Sequence, residues 1–215
     1  MIRSEYPKVI TRTRPIEDDW KYHRNIIENI LKSKLGKCTR IHAHKCQIID
    51  VSPSDARLFY GIHHLKGFWP AKYHIGLEYD GQIVLVMSFS QHHEYDYELI
   101  RMASMAGVTV VGGMSKILGC FRKQHPGKIV SYIDRDISNG KSYYAVGFKL
   151  ESIIEPSYWY VETKNLMRVN QESLQKHKLT QFANYTPDKT EEEIIRGSNM
   201  YFRIHNSGNL KMVLD

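Results

Sequence analysis

The stretch from 110 to 148 constrains this chain more than any other. VVGGMSKILGCFRKQ (110–124) passes from β-branched residues through a Gly-Gly pair into helical apolar spacing, and KIVSYID (128–134) follows a Pro126-Gly127 break. A strand, a glycine-opened helix and a second strand in that order form a crossover unit, which requires a sheet with helices packed on it. SYIDRDISNGKSYYAVGF (131–148) then adds a short helix over 139–146 and a Gly147-Phe148 exit into another strand. A helix opened by glycines also offers unpaired backbone N–H groups and a positive dipole end to an anion.

The flanks extend this α/β pattern. Residues 40–51 alternate and, with Ile48, Ile49 and Val51, predict a strand. Ser52-Pro53-Ser54-Asp55 is a capping box with proline at the first helical position, opening a short helix over 53–62. KYHIGLEY (72–79) and QIVLVMSFS (82–90) flank Asp80-Gly81, a type I′ hairpin signal. Further strands are expected at YELIRMAS (97–104), FKLESII (148–154) and SYWYVET (157–163). A polar helix around 170–182, an acidic helix start at TEEEII (190–195) and a last hairpin across NSGN (206–209) complete the chain. At the other end, residues 1–14 read as an extended basic arm. Pro15 with Glu17, Asp18 and Asp19 opens an amphipathic helix of about five turns that stops at Gly36. The expected divisions are 1–39, 40–163 and 164–215, with no internal repeat.

Composition narrows the class. Of 215 residues, 42% are hydrophobic and 25% charged, and apolar runs such as IVLVM (83–87) are strand-length, so no membrane span is expected. MIRSEYPK has no apolar run that would serve as a secretory signal. Three cysteines, Cys38, Cys46 and Cys120, argue against a disulfide framework and for a reducing cytoplasm. Residues 1–46 carry 11 Lys/Arg against 5 Asp/Glu, whereas residues 47–163 carry 11 against 12. The positive surplus therefore lies N-terminal, where it suits a polyphosphate partner such as nucleic acid or a solvated face.

The order strand, helix, hairpin, strand, glycine-opened helix, strand, short helix and two closing strands resembles the GNAT acyltransferases over residues 40–163. Its most specific part is Asn139, Tyr143 and Gly147-Phe148. The resemblance implies a mixed, twisted sheet with flanking helices and acetyl-CoA or another acyl-CoA as donor. It places Tyr143 as the acid for a departing thiolate, and puts Gly112, Gly113, Met114, Ser115 and Asn139 on the cofactor side. Thr109 or Val110 stands where that family carries a long polar side chain before its glycines.

A second resemblance is carried by HHLKGF (63–68), IGLEYDGQIVLVMSF (75–89), VVGGMSK (110–116), SYIDRDISNG (131–140), PSYWYV (156–161) and YFRIHNSGNL (201–210). It is similar to the C-terminal domain of phage homing endonucleases of the EDxHD, Vsr-like group. IEDDWKYHRNIIENILKSKLG (16–36) is similar to the segment that ends the nuclease part of those proteins and leads into that domain; only 15 residues precede it, so the cutting domain is not expected here. HH at 63–64, ELIR at 98–101 and SYID at 131–134 resemble Mom-type phage proteins that modify adenine in DNA. That likeness implies Asp134 and Tyr143 beside the reacting amine, with Glu98 and Arg101 on the adjacent strand.

Read as residues, Asp134 ends a buried strand and, with Ser131, Tyr132 and Asn139, is either a functional carboxylate or a cap for the next segment. Glu98 and Arg101 point to opposite faces of their strand unless a bulge intervenes. His63 and His64 follow a capped helix, as bases or donors or as packed loop histidines. His92 and His93 lie near Tyr95 and Tyr97, where rings can stack on bases. His42, His44 and Cys46 alternate onto one strand face with Cys38 nearby, but the spacing fits no standard zinc knuckle, and no metal is expected. Two functions follow as expectations. One is a DNA-associated accessory domain without its nuclease, acting by nucleic-acid binding, with a separate nuclease subunit as a further partner. The other is an acyl-CoA-dependent N-acyltransferase acting on a nucleic-acid base.

Overall fold

A computed structural model describes residues 17–169 and 171–215. The expectations for the basic arm and Pro15 lie outside the described residues. Helix α1 (Glu17–Lys34) bends at His23 (φ −127°, ψ 26°) and ends on Lys32 and Lys34, whose charges suit the negative end of the dipole. Strand β1 (Thr39–His42) is followed by a 3₁₀ turn over Ala43–Lys45 and by β2 (Gln47–Asp50). The single strand expected over 40–51 is thus broken. Cys46 turns into the core while His42 and His44 stay exposed, so the three do not share a strand face.

Helix α2 (Pro53–His63) starts as expected, with the Ser52 side chain accepting the Asp55 backbone N–H. Strands β3 (Tyr73–Tyr79) and β4 (Gln82–Gln91) meet across Asp80-Gly81, both at positive φ (50° and 74°), as a type I′ turn demands. Strand β5 (Tyr97–Ser104) leads through β6 (Val108–Val111) to α3 (Gly113–Gln124), then β7 (Ile129–Asp134), α4 (Lys141–Tyr144) and β8 (Lys149–Ile154). Next come β9 (Tyr158–Glu162), β10 (Arg168–Val169), α5 (Glu191–Ser198), β11 (Tyr201–His205) and β12 (Asn209–Leu214). The polar helix expected around 170–182 is two 3₁₀ turns, Gln171–Leu174 and Lys176–Lys178.

Seven strands form one mixed sheet in the order β2-β3-β4-β5-β7-β12-β8, parallel only between β5 and β7. This is the mixed, twisted α/β architecture with flanking helices that the sequence led one to expect. The main core lies on the α3 side, where Leu77, Met87, Phe89, Leu99, Ile117, Phe121, Ile129 and Phe148 are buried together. Phe89 and Phe121 stack there at 4.0 Å. On the other face α2 packs Ala56, Phe59 and Tyr60 against Val86 and Ala103.

The expected divisions at 163/164 and the closing hairpin across 206–209 are not what the sheets show. Strand β9 joins β10 and β11 in a separate three-stranded sheet over its own small core of Tyr160, Leu174, Leu179, Ile194 and Ile195. Strand β12, not β9, joins the main sheet, lying between β7 and β8. Its Leu210, Met212 and Leu214 recur at every second position and all enter the main core. Residues 155–205 therefore form an insertion between β8 and β12.

Candidate active site

The two parallel strands part company soon after they meet. The register pairs only Tyr97 with Ile129 and Glu98 with Val130, and beyond this point β5 and β7 diverge. A diverging pair leaves backbone N–H and C=O groups facing a gap, where an extended ligand with amide groups can complete the ladder. The gap is framed by side chains from both faces of the sheet.

At its mouth β5 carries a bulge: Ser88 opposes Arg101 while Phe89 opposes Leu99, so Ile100 is the extra residue. The bulge turns Glu98 and Arg101, opposite Ser90 and Ser88, onto the same α2-side face rather than opposite ones. It also frees the Arg101 carbonyl, which accepts the Tyr60 hydroxyl at 3.2 Å. Tyr60 lies 2.8 Å from Ser88 Oγ, which lies 2.7 Å from His74 Nδ1. All three contacts are satisfied when His74 donates to Ser88, Ser88 to Tyr60 and Tyr60 to the carbonyl. That order leaves His74 Nε2 as a buried lone pair, consistent with its having no partner. Burial raises the Tyr60 phenol and lowers the His74 imidazole, so both stay neutral.

On the α3 side, Ser131 is buried and donates to the Leu99 carbonyl at 2.9 Å, bridging the strands just where the ladder stops. Tyr143 of α4 reaches the same serine. Burial pushes its phenol up, and the Ser131 hydrogen bond works against that rise. Its ring packs edge-on against Phe148 at 5.3 Å. Tyr60 belongs to the α2-side cluster and Tyr143 packs on the α3-side core, so the two phenols lie on opposite faces of the sheet.

Asp134, at the end of β7, pairs with Lys66 Nζ at 2.8 Å and accepts the Asp136 N–H at 2.9 Å. It therefore holds the following turn and also ties the α2–β3 loop across the gap. His64 and Arg101 meet that loop: Arg101 Nε donates to the Gly67 carbonyl at 3.4 Å, and Lys66 N donates to His64 Nδ1 at 3.2 Å. Burial, with Arg101 and Lys66 adding to it, pushes His64 down to about 4. His63 points elsewhere, accepting the Ala106 N–H at 3.2 Å and resting on Phe59, so it is not part of this constellation.

The anion end is less uniform than expected. Gly112 caps α3 at φ +77°, Ser115 is exposed and the first turn has no carboxylate. Met114 is buried, so only its backbone is available, and a Cβ on Gly113 would lie 2.6 Å from Leu85 Cδ2, making that glycine a packing requirement. Lys116 adds a cation to the same turn while donating to the Ala43 and Cys46 carbonyls at 3.0 and 2.6 Å. The glycine pair and Asp134 have different neighbours, Ala43, Leu85 and Val110 against Lys66 and Asp136. Asn139 accepts the Lys141 N–H at 3.1 Å and so shapes the entry to α4. Sequence reasoning missed Tyr60, Lys66, Ser88 and His74, since their signal, polar groups on inward positions, exists only once the strands are paired.

No family model matches this chain, and no curated protein matches it. Among solved structures, Ard1 from Thermoplasma volcanium is similar at 13% identity and TM-score 0.42, over 79% of this chain and 96% of that one. A histone acetyltransferase HPA2 and related acetyltransferase from Corynebacterium glutamicum is similar at 13% identity and TM-score 0.36, over 97% and 95%. The strand order and the parting of β5 from β7 are those of a mixed α/β sheet with flanking helices.

Proposed function

We propose that this chain is an acyl-CoA-dependent N-acyltransferase. The observation that carries the reading is the parting of β5 from β7 after two pairs, bridged by Ser131 donating to the Leu99 carbonyl at 2.9 Å, with Tyr143 of α4 held beside it against Phe148 and its phenol pushed up by burial. An acyl-CoA supplies an activated thioester. The β5 edge beyond Leu99 offers backbone partners to its amide-bearing arm, and the start of α3, with Gly112, Ser115 and Lys116, suits its pyrophosphate. On the opposite face Glu98 lies beside Arg101, placed to take the proton that an attacking amine sheds. Tyr143 holds the proton that the departing sulfur requires, and Ser131 is positioned to hold the phenol oxygen in place. Asp134 and Lys66 close the α2–β3 loop over the acceptor side. The resemblance to Mom-type proteins implies a nucleobase amine as acceptor.

The test is thiol release from acetyl-CoA with a panel of amines, including DNA, alongside thermal shift with acetyl-CoA. Bound acyl-CoA raises the melting temperature, and Tyr143→Phe lowers the transfer rate by roughly 10²- to 10⁴-fold while leaving that shift intact. No shift and no thiol release with any acyl-CoA would overturn the reading.

A further inference from the structure

From Asn29 to Ile49 the chain has no acidic residue, yet it carries Lys32, Lys34, Lys37, Arg40 and Lys45, together with His42 and His44. All seven side chains are exposed. None of the five Lys/Arg side chains has an ion pair among the described interactions, although Lys32 does lower the nearby Glu28 carboxyl through its charge. The strip runs without interruption from the last turn of α1, through β1, to the 3₁₀ turn.

The strip is also fixed to the core, as a bare charged tail would not be. Strand β1 pairs in parallel with β6 from Thr39↔Val108 to His42↔Val111, the Asn29 side chain accepts the Gly107 N–H, and Lys116 binds two carbonyls of the 3₁₀ segment. His42 and His44 stack on each other at 5.6 Å and present their rings outward. Five exposed cations on one short segment tied to the core, with no carboxylate between them in the sequence, favour a partner that offers many regularly spaced anions.

We propose that this strip is a docking surface for the sugar-phosphate backbone of nucleic acid. A duplex carries one negative charge per roughly 1.7 Å of axis, and neutralising its phosphates releases condensed counterions. An anionic membrane fits less well, because interfacial helices need a broad apolar face. Among the described residues of this stretch, Leu31 (49% exposed) and Leu35 (68%) accompany the charges at one end and Ile48 (38%) at the other, with no broad apolar face. The 3₁₀ end of the strip lies by the start of α3, tied to it by Lys116, rather than beside Glu98 and Asp134, and the inference does not rest on the transfer reading.

The experiment measures binding of the full chain to labelled duplex DNA, single-stranded DNA and RNA by fluorescence anisotropy, between about 50 and 200 mM salt. Five phosphate contacts give a slope of log K against log salt near −4 to −5 on a duplex, and the triple variant K34E/R40E/K45E reduces its magnitude by about 3. The same variant weakens binding at moderate salt by roughly 10²-fold or more. Its melting temperature and its shift with acetyl-CoA match the wild type, and K34Q/R40Q/K45Q falls in between. Salt-independent binding, or binding unchanged by the triple variant, overturns the proposal. So does retention on phosphatidylserine vesicles without retention on any nucleic acid. Loss of the acetyl-CoA shift with nucleic-acid binding intact reassigns the strip to the cofactor's phosphates and overturns it as well.

Discussion

Gly208→Ala strikes the point where the chain returns from the insertion into β12. Gly208 has φ +74°, and a Cβ there would lie 2.0 Å from the Ile154 carbonyl oxygen. The left-handed backbone alone costs an alanine about 1 kcal/mol. The close approach costs more, because that carbonyl belongs to β8, where Ile154 is paired with Asn209 of β12, and it cannot swing aside as a side-chain tip does. Overpacking of this sort adds about 1 to 3 kcal/mol, for a total of about 2 to 4. Gly81→Ala separates the two effects: it also has φ +74°, but no atom lies within 4 Å of the added Cβ. In a chain of this length each kcal/mol moves the melting temperature by about 2 to 4 °C. Thermal denaturation followed by circular dichroism therefore shows Gly81→Ala lowered by about 2 to 4 °C and Gly208→Ala by roughly 5 to 15 °C. Equal melting of the two variants would refute the tight crossing beside β8, and with it the placement of β12 in the main sheet.

Three other outcomes test the site. His64 titrates at about 4 in the folded chain, below its unfolded value, so the unfolded state binds the extra proton between about pH 6.5 and 4. Stability is then fully present above about pH 6.5 and declines as pH falls toward 4, by at most about 3 kcal/mol. Urea unfolding of His64→Asn, which keeps an acceptor for Lys66 N, shows a correspondingly flatter decline. Ser131→Ala orphans the buried Leu99 carbonyl and the Tyr143 hydroxyl. It costs about 1 to 3 kcal/mol by the same denaturation, and it lowers thiol release without abolishing the acetyl-CoA shift. Lys116→Met removes two charge-assisted bonds to the 3₁₀ turn. It lowers the melting temperature by roughly 3 to 12 °C, and hydrogen exchange speeds up in β1 and β6 rather than in β7.

Most of the main sheet was legible residue by residue. Asp80-Gly81, Ser52-Pro53 and Gly112-Gly113 each carry a local signal strong enough to set a turn or helix start, and those elements fall within a residue or two of expectation. Tyr143 and Ser131 were also legible as candidates. Their partnership was not, because Ser131 answers to Leu99, 32 positions away. Glu98 and Arg101 show the same limit: spacing alone puts them on opposite faces, and only the pairing with Ser90 and Ser88 reveals the extra residue. For the 43–45 turn the reason is different. Alternation through His42, Ala43, His44 and Cys46 is genuine, but the turn lets Ala43 and Cys46 both enter the core beside Gly112.

The linear order of residues determined which segments extend, which coil and where the cationic surplus lies, because propensity, capping and charge act within a few positions. Tertiary structure alone decided that β12 rather than β9 enters the main sheet between β7 and β8, that β5 and β7 separate after two pairs, and that Ser131 bridges them through the Leu99 carbonyl. Those outcomes depend on competition among distant strands for one buried surface. Both β9 and β12 alternate well enough to pair, and Leu210, Met212 and Leu214 take the place by filling the space under α3.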